Sequence, residues 1–298
     1  MADEQMKKVI LDTDIGSDID DAVALAYLLK QPKCKLMGIT TVSGQPVERA
    51  KLASALCIAA GKPDVPIYPG TEAPILAAQR QPEAIQTPAL ENWKHETDFP
   101  RGEAVEFLRR TIRQHPGEIS LLAIGPMTNI GLLFAQDPEI PGLLKELVLM
   151  CGVFENGIPH LPHGEWNAVC DPHATAVVYR AQPKVHRSIG LDVTYQVRLS
   201  PEEVEQRFNA PILQPVKDFA KLWFRHAGAM VFHDPLAAAT LFREDICGFV
   251  SGQVEVDLES RYASGMTIFR REEGGPHEIA ATVDRERFLQ EYFDVVGL

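Results

Sequence analysis

Apolar runs of strand length alternate with helix-type segments along most of this 298-residue chain, and no other feature narrows its possible folds as far. "KKVILDTD" leads into "DDAVALAYLL", "KLMGITTVSG" into "PVERAKLASALCIAAG", and "EISLLAIG" into "PMTNIGLLFA". "KELVLMCG" comes next, and "KVHRSIGLDV" follows the helix-like "DPHATAVVYRA". The strand runs are almost continuously apolar, as a parallel sheet requires when helices cover both of its faces. The expectation is α/β: one domain over residues 1–298, with a mainly parallel, Rossmann-like sheet flanked by helices. No linker-like tract or internal repeat divides it. Beyond residue 250, "GQVEVDLE" and "SGMTIFRR" read as a late antiparallel strand pair, and "DRERFLQEYFDVV" as an amphipathic closing helix. Residues 71–101 are long, Pro-containing and weakly periodic. They read either as a functional lid or as an ordinary surface excursion.

Ligands of open α/β sheets bind outside the carboxyl ends of the strands. Here those ends are polar or glycine-rich: the aspartate run, "TTVSGQ", "IGPMTN", "MCG" and "GLDVTYQ". The first is the most demanding. Asp12, Asp14, Asp18, Asp20 and Asp21 crowd ten positions between a strand and a helix. Asp18 or Asp20 could cap the helix, and acidic residues suit its first turn. Five cannot all be caps, and a divalent cation would relieve their repulsion. An EF-hand register fails, because counting from Asp12 or Asp14 puts no Gly at the sixth position and no Glu at the twelfth. A phosphatase with Asp12 as nucleophile fits "LDTD" locally, but no later metal box accompanies it.

A net charge of −12 argues against nucleic acid or an anionic membrane as the main partner. There is no signal-peptide pattern and no apolar run of membrane-spanning length. The five scattered cysteines lack zinc spacing and read as reduced thiols of a cytosolic, cytoplasmic protein.

Later motifs add candidates. "HDPLAAATLF" sets His233 beside an Asp234-Pro235 helix start. Capping alone would explain Asp234 but not its neighbour. "GEWNAVCDPHATA" places Glu165 and Asn167 before a second such start, where Asp171 reads as a cap. Taken in order, "DTDIGSDIDDAVAL", "IGPMTN", "GEWNAVCDP", "GLDVT" and "HDPLA" resemble the inosine–uridine-preferring nucleoside hydrolases. The resemblance runs from residue 9 to about 240, and the closing helix is similar too.

That resemblance implies calcium-dependent hydrolysis of the N-glycosidic bond of ribonucleosides, giving ribose and free base, by a homo-oligomer (dimer or tetramer). It implies a Ca2+ ion held by Asp14, Asp21, Asp234 and the carbonyl of Ile124. Asp14 would also be the general base for a water. Asp20, Glu165 and Asn167 would hold the ribose hydroxyls, Met150 would lie near the sugar, and His233 near the leaving base. The residue types suit the chemistry. Carboxylates stabilise an oxocarbenium-like sugar, an all-oxygen ligand set suits calcium better than zinc, and a histidine can assist the leaving base near neutral pH.

The sequence departs from the family pattern in four places. The common acidic run is shorter, DxDxGxDD, so Asp18 is an extra carboxylate and an alternative base. Gln45 stands where Asn is usual, as a longer ribose contact. "FENGIPHLPHGEW" lacks the usual Gly-Asn pair for the 5′-hydroxyl; Asn156 is the substitute, and His160 or His163 could meet a modified 5′ end. Tyr195 replaces a usual His. Phe219, Trp223 and His226 recur at helical spacing, either as core or as a base platform in which Trp223 stacks and His226 assists protonation. Trp93 and His95 are candidates of the same type. A non-catalytic nucleoside binder on the same scaffold is the competing reading.

Overall fold

The computed structural model describes residues 6–154 and 161–298. Among them, five strands follow the alternation seen in the sequence, β1 (Lys7–Thr13), β2 (Cys34–Thr41), β4 (Ile119–Ala123), β5 (Glu146–Met150) and β6 (His186–Ile189), and the three-residue edge strand β3 (Ile67–Pro69), which the sequence reading missed, joins β2. Two-residue strands β7 (Arg198–Leu199) and β8 (Met230–Val231) pair with each other apart from the main sheet. The chain closes with β9 (Cys247–Val256), β10 (Thr267–Arg271) and β11 (His277–Val283), then the helix Arg285–Val296. The main sheet runs β10-β9-β11-β6-β5-β4-β1-β2-β3. It is parallel from β3 through β11, while β9 and β10 are antiparallel. The expected late pair is therefore β9 and β10. The sequence reading missed β11, which attaches that pair to β6 and makes it an extension of the same sheet.

Strand β1 shows why both faces are covered. Successive strand residues point to opposite sides. Val9 and Leu11 join one apolar core with helix α1 (Asp20–Lys30), and Ile10 joins the other with Phe107, Leu108, Leu121 and Leu147. Helix α1 is buried from Asp20 to Leu29. It packs against the helix His233–Thr240, and both are alanine-rich (Ala22, Ala24, Ala26; Ala237, Ala238, Ala239), with all six alanines buried. Such small side chains permit close approach, and the packing brings the two N-termini together.

Strand order reverses at β1, whose neighbours are β2 and β4. The crevice beyond their carboxyl ends is the topological switch point, where α/β folds place ligands. Gly125 closes it from the β4 side; a Cβ there would meet the backbone N and Oδ1 of Asp14 at 2.9 Å. No described helix is long and apolar enough to cross a membrane. All five cysteines are buried free thiols.

Residues 71–101 carry one short helical turn, Thr87–Asn92, and their central part is strapped to the switch point. Ile75 N donates to Asp171 Oδ2 at 2.8 Å, and Gln86 Nε2 to the Asp18 carbonyl at 2.8 Å. Gln86 N donates to the Gly16 carbonyl at 3.2 Å. The stretch is therefore held against the crevice and is not an ordinary surface excursion.

Candidate functional site

A cavity of about 660 Å³ opens at the switch point. Its floor comes from the β1–α1 connection (Asp14, Asp18, Asp20, Asp21) and from Asp234 at the start of the facing helix. Asp12, the first of the five aspartates, is elsewhere. It is fully buried off the cavity, accepting from the Thr40 hydroxyl and from Asn129 Nδ2 at 2.7 Å. An acid so enclosed cannot attack a phosphate, which removes the phosphatase alternative.

Two helix N-termini meet at the floor. Asp234 N donates to Asp20 Oδ2 at 3.1 Å, and the Thr13 hydroxyl donates to Asp21. One oxygen from each of Asp20, Asp21 and Asp234 lies within 4.8 Å of the other two, and all three residues are buried. Neither Asp20 nor Asp234 is the cap of its helix; Ile19 and Phe232 occupy those positions. Burial, reinforced by the neighbouring acids, holds all three carboxyls well above the usual range. Helix N-termini favour negative charge by a few tenths to about 1 kcal/mol, too little to offset such crowding. Oxygen-only donors converging in a buried pocket fit a hard divalent cation.

The remaining ligand candidates line the same cavity but hold hydrogen bonds. Asp14 Oδ2 accepts from Gln81 Nε2. The Ile124 carbonyl accepts from Asn167 Nδ2 at 2.9 Å, and that amide also reaches the Met150 carbonyl at 3.1 Å. Burial raises the Asp14 carboxyl, opposed by Arg49 and by the Gln81 hydrogen bond. Asp18 is pushed up to about 7 by burial, while its Oδ1 accepts from Ile19 N. Glu165 is likewise pushed up to about 7 by burial. It caps the helix Trp166–Cys170, accepting from Asn167 N at 2.7 Å and Ala168 N at 2.9 Å. Asp171 caps the next helix, as its sequence suggests.

Aromatic and apolar side chains line the rest of the cavity. His233 lines it, with Nδ1 2.6 Å from Thr194 Oγ1 and the Tyr195 ring edge-on at 5.2 Å. Burial pushes the imidazole down to about 4, so it is neutral at pH 7. Met150, Leu191, Tyr195 and Trp223 line it too. Of the possible base platform, Trp223 alone lines the cavity: Phe219 is fully buried core and His226 is exposed outside the lining. Trp93 bonds Asp218 Oδ2 at 3.1 Å, and His95 the Glu96 carbonyl at 2.8 Å, both away from the lining. Gln45 is also outside it. In a left-handed conformation (φ 58°), it turns Oε1 to Ala84 N at 2.9 Å, using its longer arm to hold the strap. His163 is exposed and off the lining, between Pro162 and Gly164, which are on it. Asn156 and His160 lie outside the described residues.

Three residues at the site were missed in the sequence. Arg49, fully buried, donates to the carbonyls of Gly44 (2.7 Å), Asp14 and Ile15 (3.2 Å) and to Ser17 Oγ (2.9 Å). It thereby sets the path of the acidic loop. Gln81 enters from the strap, and Trp166 Nε1 donates to its Oε1 at 2.7 Å. Trp166 stands between two candidates, which is the one signal any of the three gave.

The family model described as "Inosine-uridine preferring nucleoside hydrolase" matches residues 9–290. The non-specific ribonucleoside hydrolase RihC of Salmonella typhimurium is 31% identical over 297 residues, 95% of each chain. The probable uridine nucleosidase 2 of Oryza sativa subsp. japonica is 30% identical over 277 residues, covering 85% of this chain and 79% of the rice protein. Among solved structures, a purine-preferring ribonucleoside hydrolase from Gardnerella vaginalis superposes with a TM-score of 0.83 at 25% identity, covering 98% of both chains.

Proposed function

The chain belongs to the inosine-uridine preferring nucleoside hydrolase family, and from that membership we propose that it hydrolyses the N-glycosidic bond of ribonucleosides in a calcium-dependent reaction. The observation that carries this reading is the convergence of three buried carboxylates in a cavity that His233 also lines. Asp21 and Asp234, with Asp14 and the Ile124 carbonyl beside them, would hold the cation. When bound, it supplies Lewis acidity towards a water and the ribose diol.

The side chains do the rest. Asp20, Glu165 and Asn167 hold the ribose hydroxyls, with Met150 near the sugar. Asp14 takes a proton from water as the water oxygen bonds to C1′. The C1′–N bond breaks, and the nitrogen leaves with the electron pair. The ring of acids stabilises the positive charge that builds on the sugar. His233 serves as a hydrogen-bond donor to the leaving base: Nδ1 is engaged by the Thr194 hydroxyl at 2.6 Å, which leaves Nε2 as the nitrogen for the base. Tyr195 and Trp223 form the apolar wall against which a base packs.

A reducing-sugar assay over a panel of purine and pyrimidine nucleosides, with calcium or with chelator, tests reaction, substrate and metal together. Sugar release that disappears in chelator and returns with calcium is the expected result. Tight calcium-dependent nucleoside binding with no sugar released would select the non-catalytic binder instead. Sedimentation of the same preparation reads the dimer or tetramer that the family resemblance implies.

A further inference from the structure

We propose that Gln81 is the positioning residue for the Asp14 carboxylate and that Trp166 fixes the Gln81 amide in the orientation this requires. The kinetic part of the inference rests on the reading of Asp14 as the base. Gln81 is 7% exposed and meets Asp14 across 67 residues of chain. Its Nε2 donates to Asp14 Oδ2, and its Oε1 accepts from Trp166 Nε1 at 2.7 Å. A side-chain amide turned by half a revolution keeps its shape but exchanges donor for acceptor. The indole can only donate, so it selects the orientation with oxygen towards Trp166 and nitrogen towards the acid. The opposite orientation sets two donors against each other and an oxygen against a carboxylate.

The backbone that delivers this amide has no slack. A Cβ on Gly44 would lie 2.5 Å from the Gln81 carbonyl oxygen and 2.4 Å from that of Pro82. Downstream, Arg49 Nη2 donates to the Glu83 carbonyl at 3.4 Å, and Ala84 N bonds Gln45 at 2.9 Å. The donor is thus held from both sides, and the carboxylate it grips keeps one rotation. A hydrogen bond to a charged acceptor of this kind corresponds to about a ten- to hundredfold effect.

Two variants separate positioning from packing. Gln81→Met keeps length and bulk and removes both hydrogen bonds. Gln81→Glu keeps the acceptor for Trp166 and loses the donor to Asp14. Both should lose about ten- to a hundredfold in kcat with KM within about threefold. A second readout needs no activity. The chain has three tryptophans, so its indole N–H spectrum is simple, and Trp166→Phe assigns one signal. Asp14→Ala should move the Trp166 signal in substrate-free protein, and should not move the corresponding signal in a Gln81→Met background. Wild-type turnover in Gln81→Met, or a Trp166 signal indifferent to Asp14→Ala, would each overturn the proposal. Wild-type protein inert on every nucleoside would defeat the functional reading, and the indole signal would still decide the link.

Discussion

Replacing Asp234 by asparagine should stabilise the cation-free protein and abolish its response to calcium. Asp234 shares a buried space with Asp20 and Asp21, with oxygens within 4.8 Å, so each ionised pair repels by about 3 kcal/mol at an effective dielectric of about 20. The alternative is to take up a proton on folding. Between an ordinary aspartate pKa and pH 7 that costs about 4 kcal/mol, at about 1.4 kcal/mol per unit. Asp234 faces two such neighbours, so protonation is the smaller cost, in keeping with the raised carboxyls. The asparagine removes the charge and forfeits at most the favourable field of one helix N-terminus, about 0.3–1 kcal/mol. A net gain of about 3–4 kcal/mol in chelator is expected. The sign with pH follows from the raised carboxyls. Their burden is absent below the unfolded pKa near 4 and grows as pH rises towards 7, so cation-free wild type weakens over that window and Asp234→Asn weakens less. Calcium at a hundred times Kd adds about 2.7 kcal/mol to wild type and little to the variant. Urea unfolding in chelator and in calcium measures all four values. An Asp234→Asn protein less stable than wild type in chelator, or one that gains as much from calcium, would refute the reasoning.

Asp14→Asn should fold, bind nucleoside and lose about a thousandfold or more in turnover, as a lost base and ligand would; steady-state kinetics on the metal-loaded protein decide it. Gly44→Ala pushes a methyl group against the carbonyls of Gln81 and Pro82. It should cost about 1–3 kcal/mol by overpacking and lower turnover, read from urea midpoints and the same kinetics. His186 is buried against the Tyr179 and His277 rings, and burial pushes it down to about 3. Wild type should therefore lose about 1.4 kcal/mol per pH unit as pH falls from about 6.5 towards 3 through this one group. Subtracting the unfolding curve of His186→Leu should expose that slope.

The fold was legible because the strands are continuous apolar runs with polar exits, and both are local properties. The acidic floor was legible for the same reason: Asp14, Asp18, Asp20 and Asp21 sit within eight positions, and crowding announces itself. Asp12 belongs to the same run yet faces Thr40 and Asn129, which no spacing within the run could reveal. Strand β11 was missed because its burial alternates and then breaks at a register shift against β9. Gln81 and Arg49 were invisible for a different reason. Each acts through partners dozens of residues away, and an isolated Gln in a weakly periodic stretch or an Arg in a helix carries no mark of its partner. Gln45 was placed at the sugar by its motif position; its Oε1 accepts from Ala84 N on the strap, a partner that its spacing could not reveal.

The bond between Asp234 and Asp20 spans 214 positions of chain. On a ribosome, the first acids emerge long before the helix that brings the last one. Until then they sit in water, where their mutual repulsion is screened and asks nothing of the growing fold. The closing helix also ties back to the beginning, through Tyr292 to the Val23 carbonyl at 3.3 Å. The acidic floor of the cavity is thus among the last parts of the molecule to be assembled.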